Sequence, residues 1–284
     1  MIWPANKQID WAEPKRLADS QIILRIFCIP TDKLHRTLKR ELILTMKLMF
    51  LGTRGEIEAR TRRHHMHSLL LVSYRGAEVM IDCGLDWLGR FERLRPDAIV
   101  LTHAHPDHAW GLKNGASCPV HAPQKTWRTL KSCNIDNRQL IKKRTPTNVC
   151  GITVEAFPVE HSIVAPAVAY RVSVGRACIF YAPDLVFIRD RAAALKGVQI
   201  YIGDGAALTR SFIRKRGKNL IGHAPVCTQL MWCEKEDVPR AIITHCGSEI
   251  VASDQRKLRT KLRAMAAERG VEASIANDGM KLSL

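Results

Sequence analysis

No run of 18 apolar residues occurs anywhere in the 284, so no membrane-spanning helix is expected, and the opening stretch lacks the uninterrupted apolar core of a secretory signal. Aromatic residues are scarce, 6 per cent, and do not interleave with basic ones, which argues against a stacking platform for reading bases. The nine cysteines include no Cys-x-x-Cys pair, so a separate zinc knob is not supported. Scattered through a chain without an export signal, they point to a reducing cytosol and a cytoplasmic protein. Internal repeats and low-complexity tracts are also missing. Acid is in short supply: 27 Asp and Glu face 44 Lys and Arg, a net charge of +17. Residues 1–45 hold eight Lys/Arg and five Asp/Glu, so +14 belongs to the remainder. Such a field attracts anionic substrates, RNA and single-stranded DNA among them, and raises their association rates.

Histidine, by contrast, is concentrated. The run Thr102-His103-Ala104-His105-Pro106-Asp107-His108 follows directly on the apolar stretch 98–101 and places four potential metal ligands within six residues. A strand delivers them to a tight loop, where alternation sends His103 and His105 to one centre and turns Asp107 and His108 toward a second. Further candidates sit at the ends of other apolar runs: His161 after 152–157, Asp184 after 177–181, His245 after 241–243, and Asp82 closing 79–81. Taken singly, each has a plainer reading as a partly buried histidine or a turn residue.

This ordered set, an Asp, then His-x-His-x-Asp-His, then His, Asp and His, resembles the metallo-β-lactamase fold superfamily over about residues 47–284. The resemblance implies a four-layer αββα sandwich of class α/β. It implies that His103, His105 and His161 hold one metal, that Asp107, His108 and His245 hold another, and that Asp184 bridges them. Asp82 would hydrogen-bond a ligand histidine from behind, fixing its tautomer. Asp107 and Asp184 thus count among the catalytic candidates as well as the ligands. Histidine and carboxylate donors without thiolate suit Zn²⁺ and leave Mn²⁺ or Fe²⁺ open. Two such ions would make this a hydrolase.

Asp184 stands where true β-lactamases usually carry Cys or Ser, while phosphodiesterases, ribonuclease Z, glyoxalase II and many lactonases carry Asp. The order Gly203-Asp204-Gly205-Ala206, then Ile221-Gly222-His223-Ala224-Pro225, looks like the ribonuclease Z and cyclic-phosphate phosphodiesterase branch. The turns Phe50-Leu51-Gly52-Thr53-Arg54-Gly55 and Ala276-Asn277-Asp278-Gly279-Met280 echo it more weakly, since glycine-rich turns belong to any sheet protein. The chain departs from ribonuclease Z at its His-Glu-Ala-Thr segment, replaced by 203–206, and shows no long Gly/Pro-rich arm for gripping tRNA. Asp204 or His223 is the candidate to protonate the leaving oxygen. The leading expectation is a binuclear phosphodiesterase acting on nucleic acid or a small cyclic phosphodiester. A carboxylic ester, thioester or lactone hydrolase on the same site is the alternative, and a non-catalytic nucleic-acid-binding module a third reading that the full ligand set disfavours.

Two basic clusters qualify the charge. Arg210, Arg214, Lys215, Arg216 and Lys218 form an acid-free run after Asp204, placed to grip a phosphate backbone at the rim of the site. The other, Lys125, Arg128, Lys131, Arg138, Lys142, Lys143 and Arg144, reads as a solvated charged face. His64, His65 and His67 read as a polar loop, with a place at the substrate mouth as the alternative. Cys83 and Cys246, each next to a site residue, read as packing.

Apolar runs predict strands at 47–52, 69–74, 78–82, 98–101, 152–157, 167–174, 177–181, 198–203 and 241–244. Helices are predicted at 86–94, 107–115, 123–131, 187–196, 224–235 and 254–269. Residues 46–284 form the expected catalytic domain. Residues 1–45 read as an N-terminal extension, either a basic helix with Leu34, Leu38, Leu42 and Met46 on one face or an upstream extension of a frame that starts naturally at Met46.

Overall fold

The computed structural model describes residues 45–284; the expected N-terminal extension, 1–44, lies outside the described residues. The first half of the domain gives strands β1 (Lys47–Gly52), β2 (Leu69–Tyr74), β3 (Ala77–Ile81), β4 (Ala98–Val100), β5 (Val120–Ala122) and β6 (Arg138–Leu140). Next come β7 (Thr147–Val149), β8 (Ile152–Glu160), β9 (Val168–Val174), β10 (Ala177–Ala182), β11 (Phe187–Ile188) and β12 (Ile200–Asp204). An outlying hairpin, β13 (Arg214–Arg216) and β14 (Asn219–Ile221), precedes β15 (Arg240–Thr244), β16 (Glu272–Ile275) and β17 (Met280–Ser283). One sheet runs β17-β1-β2-β3-β4-β5-β6 and the other β11-β8-β9-β10-β12-β15-β16, with β7 paired to β8.

Alternation along the strands sorts the apolar side chains into three layers of core. Leu70 and Val72 of β2 point between the sheets, where they meet Tyr170, Val172, Ile179 and Ile202 from the facing sheet. Leu69 and Leu71 point outward, against Leu112 and Leu130. On the far side Phe180, Tyr201 and Ile243 meet Leu230, Leu258 and Leu262 of the covering helices. Helix, sheet, sheet, helix is the expected αββα sandwich. The helices are α1 (Pro106–Ala109), α2 (Gln124–Thr129), α3 (Arg191–Leu195), α4 (Val226–Lys235), α5 (Ser248–Val251) and α6 (Gln255–Ala267).

Local signals account for several of these elements. Arg75 and Gly76, both at positive φ (53° and 86°), make the tight turn that a two-residue hairpin between β2 and β3 requires. Helix α6 starts because Asp254 accepts the Arg256 and Lys257 amides at 2.9 and 3.0 Å, and it docks through a buried stripe of Leu258, Leu262 and Ala266. Burying each leucine there stabilises the layer by roughly 1.5–3 kcal/mol.

Some expected elements differ. The span 86–94 is two 3-10 turns, Leu85–Trp87 and Phe91–Leu94. The span 107–115 is one α-turn followed by a 3-10 turn at Trp110–Leu112. Only Arg191–Leu195 of 187–196 is helical, because Phe187 and Ile188 pair with Glu160 and Val159 as an edge strand. Edge strands β6 and β17 escaped prediction because both are short, three and four residues; β6 is also fully exposed.

What positions the site is strand direction. β3 and β4 run parallel, as do β10, β12 and β15, and β8 shares their direction because β9 reverses between β8 and β10. Their carboxyl ends gather along one edge, the position where open α/β sheets present ligands.

Candidate metal centre

Asp82, Asp204 and each expected metal ligand stand at or just beyond one of those ends, and His223 stands in the turn before α4. Asp82 and His245 take left-handed backbone, φ 62° and 49°, which non-glycine residues adopt rarely and at a cost that surrounding structure must offset. Asp82 is locked in place: its Oδ1 accepts the Thr102 amide at 2.8 Å, and its Oδ2 accepts Nδ1–H of His108 at 2.8 Å. The expected support role therefore falls on His108. His103 Nδ1 lies 3.0 Å from Thr102 Oγ1, and His161 Nδ1 donates to the Gly222 carbonyl at 3.1 Å. With their outer nitrogens committed, three rings present Nε2 inward.

Those atoms converge on Asp184. Its Oδ2 lies 3.3 Å from His103 Nε2, 3.1 Å from His108 Nε2 and 3.4 Å from His161 Nε2, while its Oδ1 lies 3.3 Å from His245 Nδ1. His105 Nδ1 joins the first group at 3.0 Å from His103 Nε2 and 3.1 Å from His161 Nε2. Asp107 Oδ2 joins the second, 2.9 Å from His245 Nε2. Three sets of donor atoms mutually within 4.8 Å share Asp184: His103, His105 and His161 with it, Asp107, His108 and His245 with it, and Asp204, His223 and His245 with it.

The donor set fits divalent cations. His108 Nε2, Asp184 Oδ1 and His245 Nδ1 are buried without a hydrogen-bond partner. A protein seldom leaves such atoms unsatisfied unless an ion or water completes them. Burial, together with the neighbouring imidazoles, holds His105 down to about 4 and lowers His103 and His161, so those rings are neutral and offer lone pairs. Burial opposes ionisation of Asp184 too, but the His161, His245 and His223 rings outweigh it and hold the carboxyl well below its usual range.

Beside the centre stands a second pair. His223 Nδ1 donates to Asp204 Oδ2 at 2.8 Å and lies 3.0 Å from Asp184 Oδ1. Burial alone would depress this imidazole; Asp204 and Asp184 override it and push it up to about 11. Its side chain is 26 per cent exposed and borders the central cavity, whereas Asp204 is fully buried. Of the two acid candidates, only His223 reaches the cavity; Asp204 positions it, its own oxygens further occupied by the amides of Leu185 and Ala206.

Two polar residues that sequence reasoning passed over hold this arrangement. Gln229, fully buried in α4, accepts the Asp204 amide at 2.9 Å and donates to the carbonyls of Asp204 at 2.7 Å and Ala224 at 2.9 Å. It ties the strand end bearing Asp204 to the turn bearing His223. A Cβ on Gly203 would lie 2.3 Å from Gln229 Oε1, so only glycine admits the contact. Arg54, 1 per cent exposed, pairs with Asp86 at 2.5 Å and donates to the carbonyls of Gly55 and Ile57, fixing the loop that walls the cavity. A lone glutamine in an apolar helix and a lone arginine in a glycine turn were the only signals.

The histidine-rich segment 64–67 turns out structural, with His64 and His67 buried and only His65 exposed. Asp278 accepts the amides of Thr53, His65 and Met66 and so knots the two weakly suggestive turns together. Cys83 and Cys246 are buried, and burial pushes both thiols up, as packing residues require.

The cavity over the centre measures about 790 Å³ and is bordered by Glu56, Ile57, Arg210, Phe212 and Glu249 among others. A smaller one of about 220 Å³ beside it is bordered by Arg214 and Arg216. Strand alternation explains why Lys215 is not with them. Lys218 sits at the hairpin turn, and neither lysine borders a described cavity.

Comparison with known proteins agrees with this architecture. Residues 77–246 match the beta-lactamase superfamily domain. A ribonuclease Z from Methanopyrus kandleri is 28% identical over 152 residues, 47% of this chain; the chain spans about half, 50%, of that relative's length. Among solved structures, a diphosphatase from the PhnP family superposes with TM-score 0.64 at 23% identity, covering 85% of this chain and 98% of that one. The short form of human tRNase Z gives 0.56 at 16%, covering 83% and 98%.

Proposed function

This chain belongs to the β-lactamase superfamily and is a metal-dependent hydrolase, and from that premise we propose that it is a binuclear phosphodiesterase acting on nucleic acid or a small phosphodiester. The observation that carries the reading is His223: an imidazole 2.8 Å from Asp204 and 3.0 Å from Asp184, opening into the cavity beside the clustered ligands. Two divalent cations, Zn²⁺ first and Mn²⁺ or Fe²⁺ as alternatives, would be held by His103, His105 and His161 and by Asp107, His108 and His245, with Asp184 between them. Bound there, they supply a water of lowered pKa and positive charge facing the developing oxyanions.

The chain's own residues do the rest. Asp82, Thr102 and the Gly222 carbonyl fix the ligand rings, so no reorganisation is needed as charge develops. His223, with Nδ1 engaged by Asp204, has Nε2 to deliver a proton to the leaving alkoxide, and Asp204 stabilises the charged ring until it does so. Arg210, Arg214 and Arg216 line the approach and favour an anionic substrate. The ribonuclease Z, tRNase Z and diphosphatase relatives are in keeping with that choice.

Ile57 and Phe212 on the cavity wall support a second reading, hydrolysis of a carboxylic ester, thioester or lactone. Zn²⁺- and Mn²⁺-loaded protein, assayed on a chromogenic phosphodiester beside a lactone of similar size with Asp184→Ala as blank, separates the two. Diester cleavage lost in the variant is the expected result; lactone turnover alone would overturn it.

A further inference from the structure

The basic cluster at 125–144 is not uniformly a solvated face. Lys125, on α2, and Lys143, whose backbone bridges to Ala156 of β8, come together with Arg189, which follows β11, around a cleft of about 290 Å³. These three come from separate stretches of the chain, and the fold alone assembles them. Arg189 pairs with Glu160, which also borders the cleft, its Nε 2.8 Å from Glu160 Oε1, so the lining carries three cations and one carboxylate. Among the described residues neither lysine has a carboxylate partner within ion-pair distance. Burial, and after it the charges of Lys125 and Arg189, lower the Lys143 pKa.

The cleft is linked to the metal centre through shared walls. Ser162 and Ile163 border both it and the 220 Å³ cavity of Arg214 and Arg216, and that cavity shares His105, His161 and His223 with the central one. Three hollows thus run in series from the ligands, past the hairpin arginines, to the lysines. The hairpin's end is fixed along this path, since Gly222 and His161 exchange hydrogen bonds, Gly222 N to His161 O at 2.9 Å. A small cyclic diester at the metals would leave the outer two hollows vacant.

We propose that the Lys125–Lys143–Arg189 cleft is a second anion-binding subsite, taking a backbone phosphate of a single-stranded nucleic acid whose reacting diester lies at the metal centre. This rests on the phosphodiesterase reading and selects, within it, the extended substrate over the small one.

The test is binding of a fluorescein-labelled thymidine dodecamer with phosphorothioate linkages to the metal-loaded protein, followed by anisotropy over a salt series. Lys125→Ala/Lys143→Ala is compared with Lys257→Ala/Lys261→Ala, which removes the same charge from the exposed face of α6. The first pair should weaken binding about tenfold and flatten the log–log salt slope by about 0.7, the value for one lost single-strand phosphate contact. The control pair should change affinity less than about twofold. Equal effects of the two pairs would overturn the subsite. Because binding requires no turnover, failure of the wild type to cleave any diester would remove the proposed reaction and leave the subsite standing; diester cleavage with equal pairs would do the reverse.

Discussion

The ligand loop His103–His108 and the basic hairpin Arg214–Ile221 look onto adjoining cavities but are built in opposite ways. In the loop His103, Asp107 and His108 are buried, and the outer nitrogens of His103 and His108 are tied to Thr102 and Asp82. In the hairpin every residue from Arg214 to Leu220 is exposed, and among the described residues Arg214, Lys215, Arg216 and Lys218 form no ion pair. Rigid, satisfied groups suit chemistry that fails when an atom moves by an ångström. Unpaired surface cations suit selection, because they leave the substrate's own charges as the partners. Changes in the first region should therefore abolish turnover whatever the substrate, and changes in the second should redistribute activity among substrates.

The strongest test of that division is Asp184→Ala or His105→Ala. Either should lower kcat/KM on every substrate by about a thousandfold or more and lower the bound metal measured by elemental analysis. Retention of full metal with lost activity would assign the residue to proton transfer instead. Next in size, His223→Ala should cost about 10²–10⁴ in kcat on a diester with an alkoxide leaving group, and far less with a nitrophenolate, which departs without a proton. Asp204→Asn should bring the alkaline limb of the pH–rate profile to lower pH, since Asp204 is a principal cause of the raised His223 pKa. An unmoved limb would detach the pair from catalysis. The same pair bears on stability with a definite sign: a histidine raised above its unfolded value near 6.5 stabilises fully below that pH, and the contribution fades as pH rises through about 11.

Gln229→Ala removes the clamp between the Asp204 strand end and the His223 turn and should lower stability by about 1–3 kcal/mol, measured by urea unfolding, through the groups left unpaired. The smallest effect sharpens the comparison most. Neutralising Arg214 and Arg216 together should lower the ratio of kcat/KM on an oligonucleotide to that on a small diester by about tenfold, and Lys215→Ala should lower it much less, because alternation turns it away from the cavity. Equal loss on both substrates would end the view of the hairpin as a selector.

Legibility in the sequence followed the same division. The contiguous motif at 103–108 could be read directly because its geometry is local, and the remaining ligands because each closes an apolar run that becomes a strand. Their grouping into two sets came from family resemblance, and the distances among His103, His161 and Asp184 depend on the β8-β9-β10 pairing and on the packing of that sheet against β4's sheet, which no local pattern specifies. Gln229 and Arg54 were missed because a buried polar side chain is recognised only by its partners, and Asp204 and Asp86 lie 25 and 32 positions away. The burial of His64 and His67, in a segment rich in arginine, was hidden for the same reason. Edge strand β6 is polar and exposed throughout, and β17 alternates Met280-Lys281-Leu282-Ser283 over only four residues, too short a stretch to mark a strand.

Asp184 is the common neighbour of five imidazoles, those of His103, His108, His161, His223 and His245. A single carboxylate cannot satisfy so many rings, so without cations the centre holds unmet electrostatic demand inside the fold. Ions bound there would act as folding ligands: at a thousandfold excess over the dissociation constant they would stabilise the native state by about 4 kcal/mol. A chelator should therefore shorten the polypeptide's half-life with protease before any substrate is added.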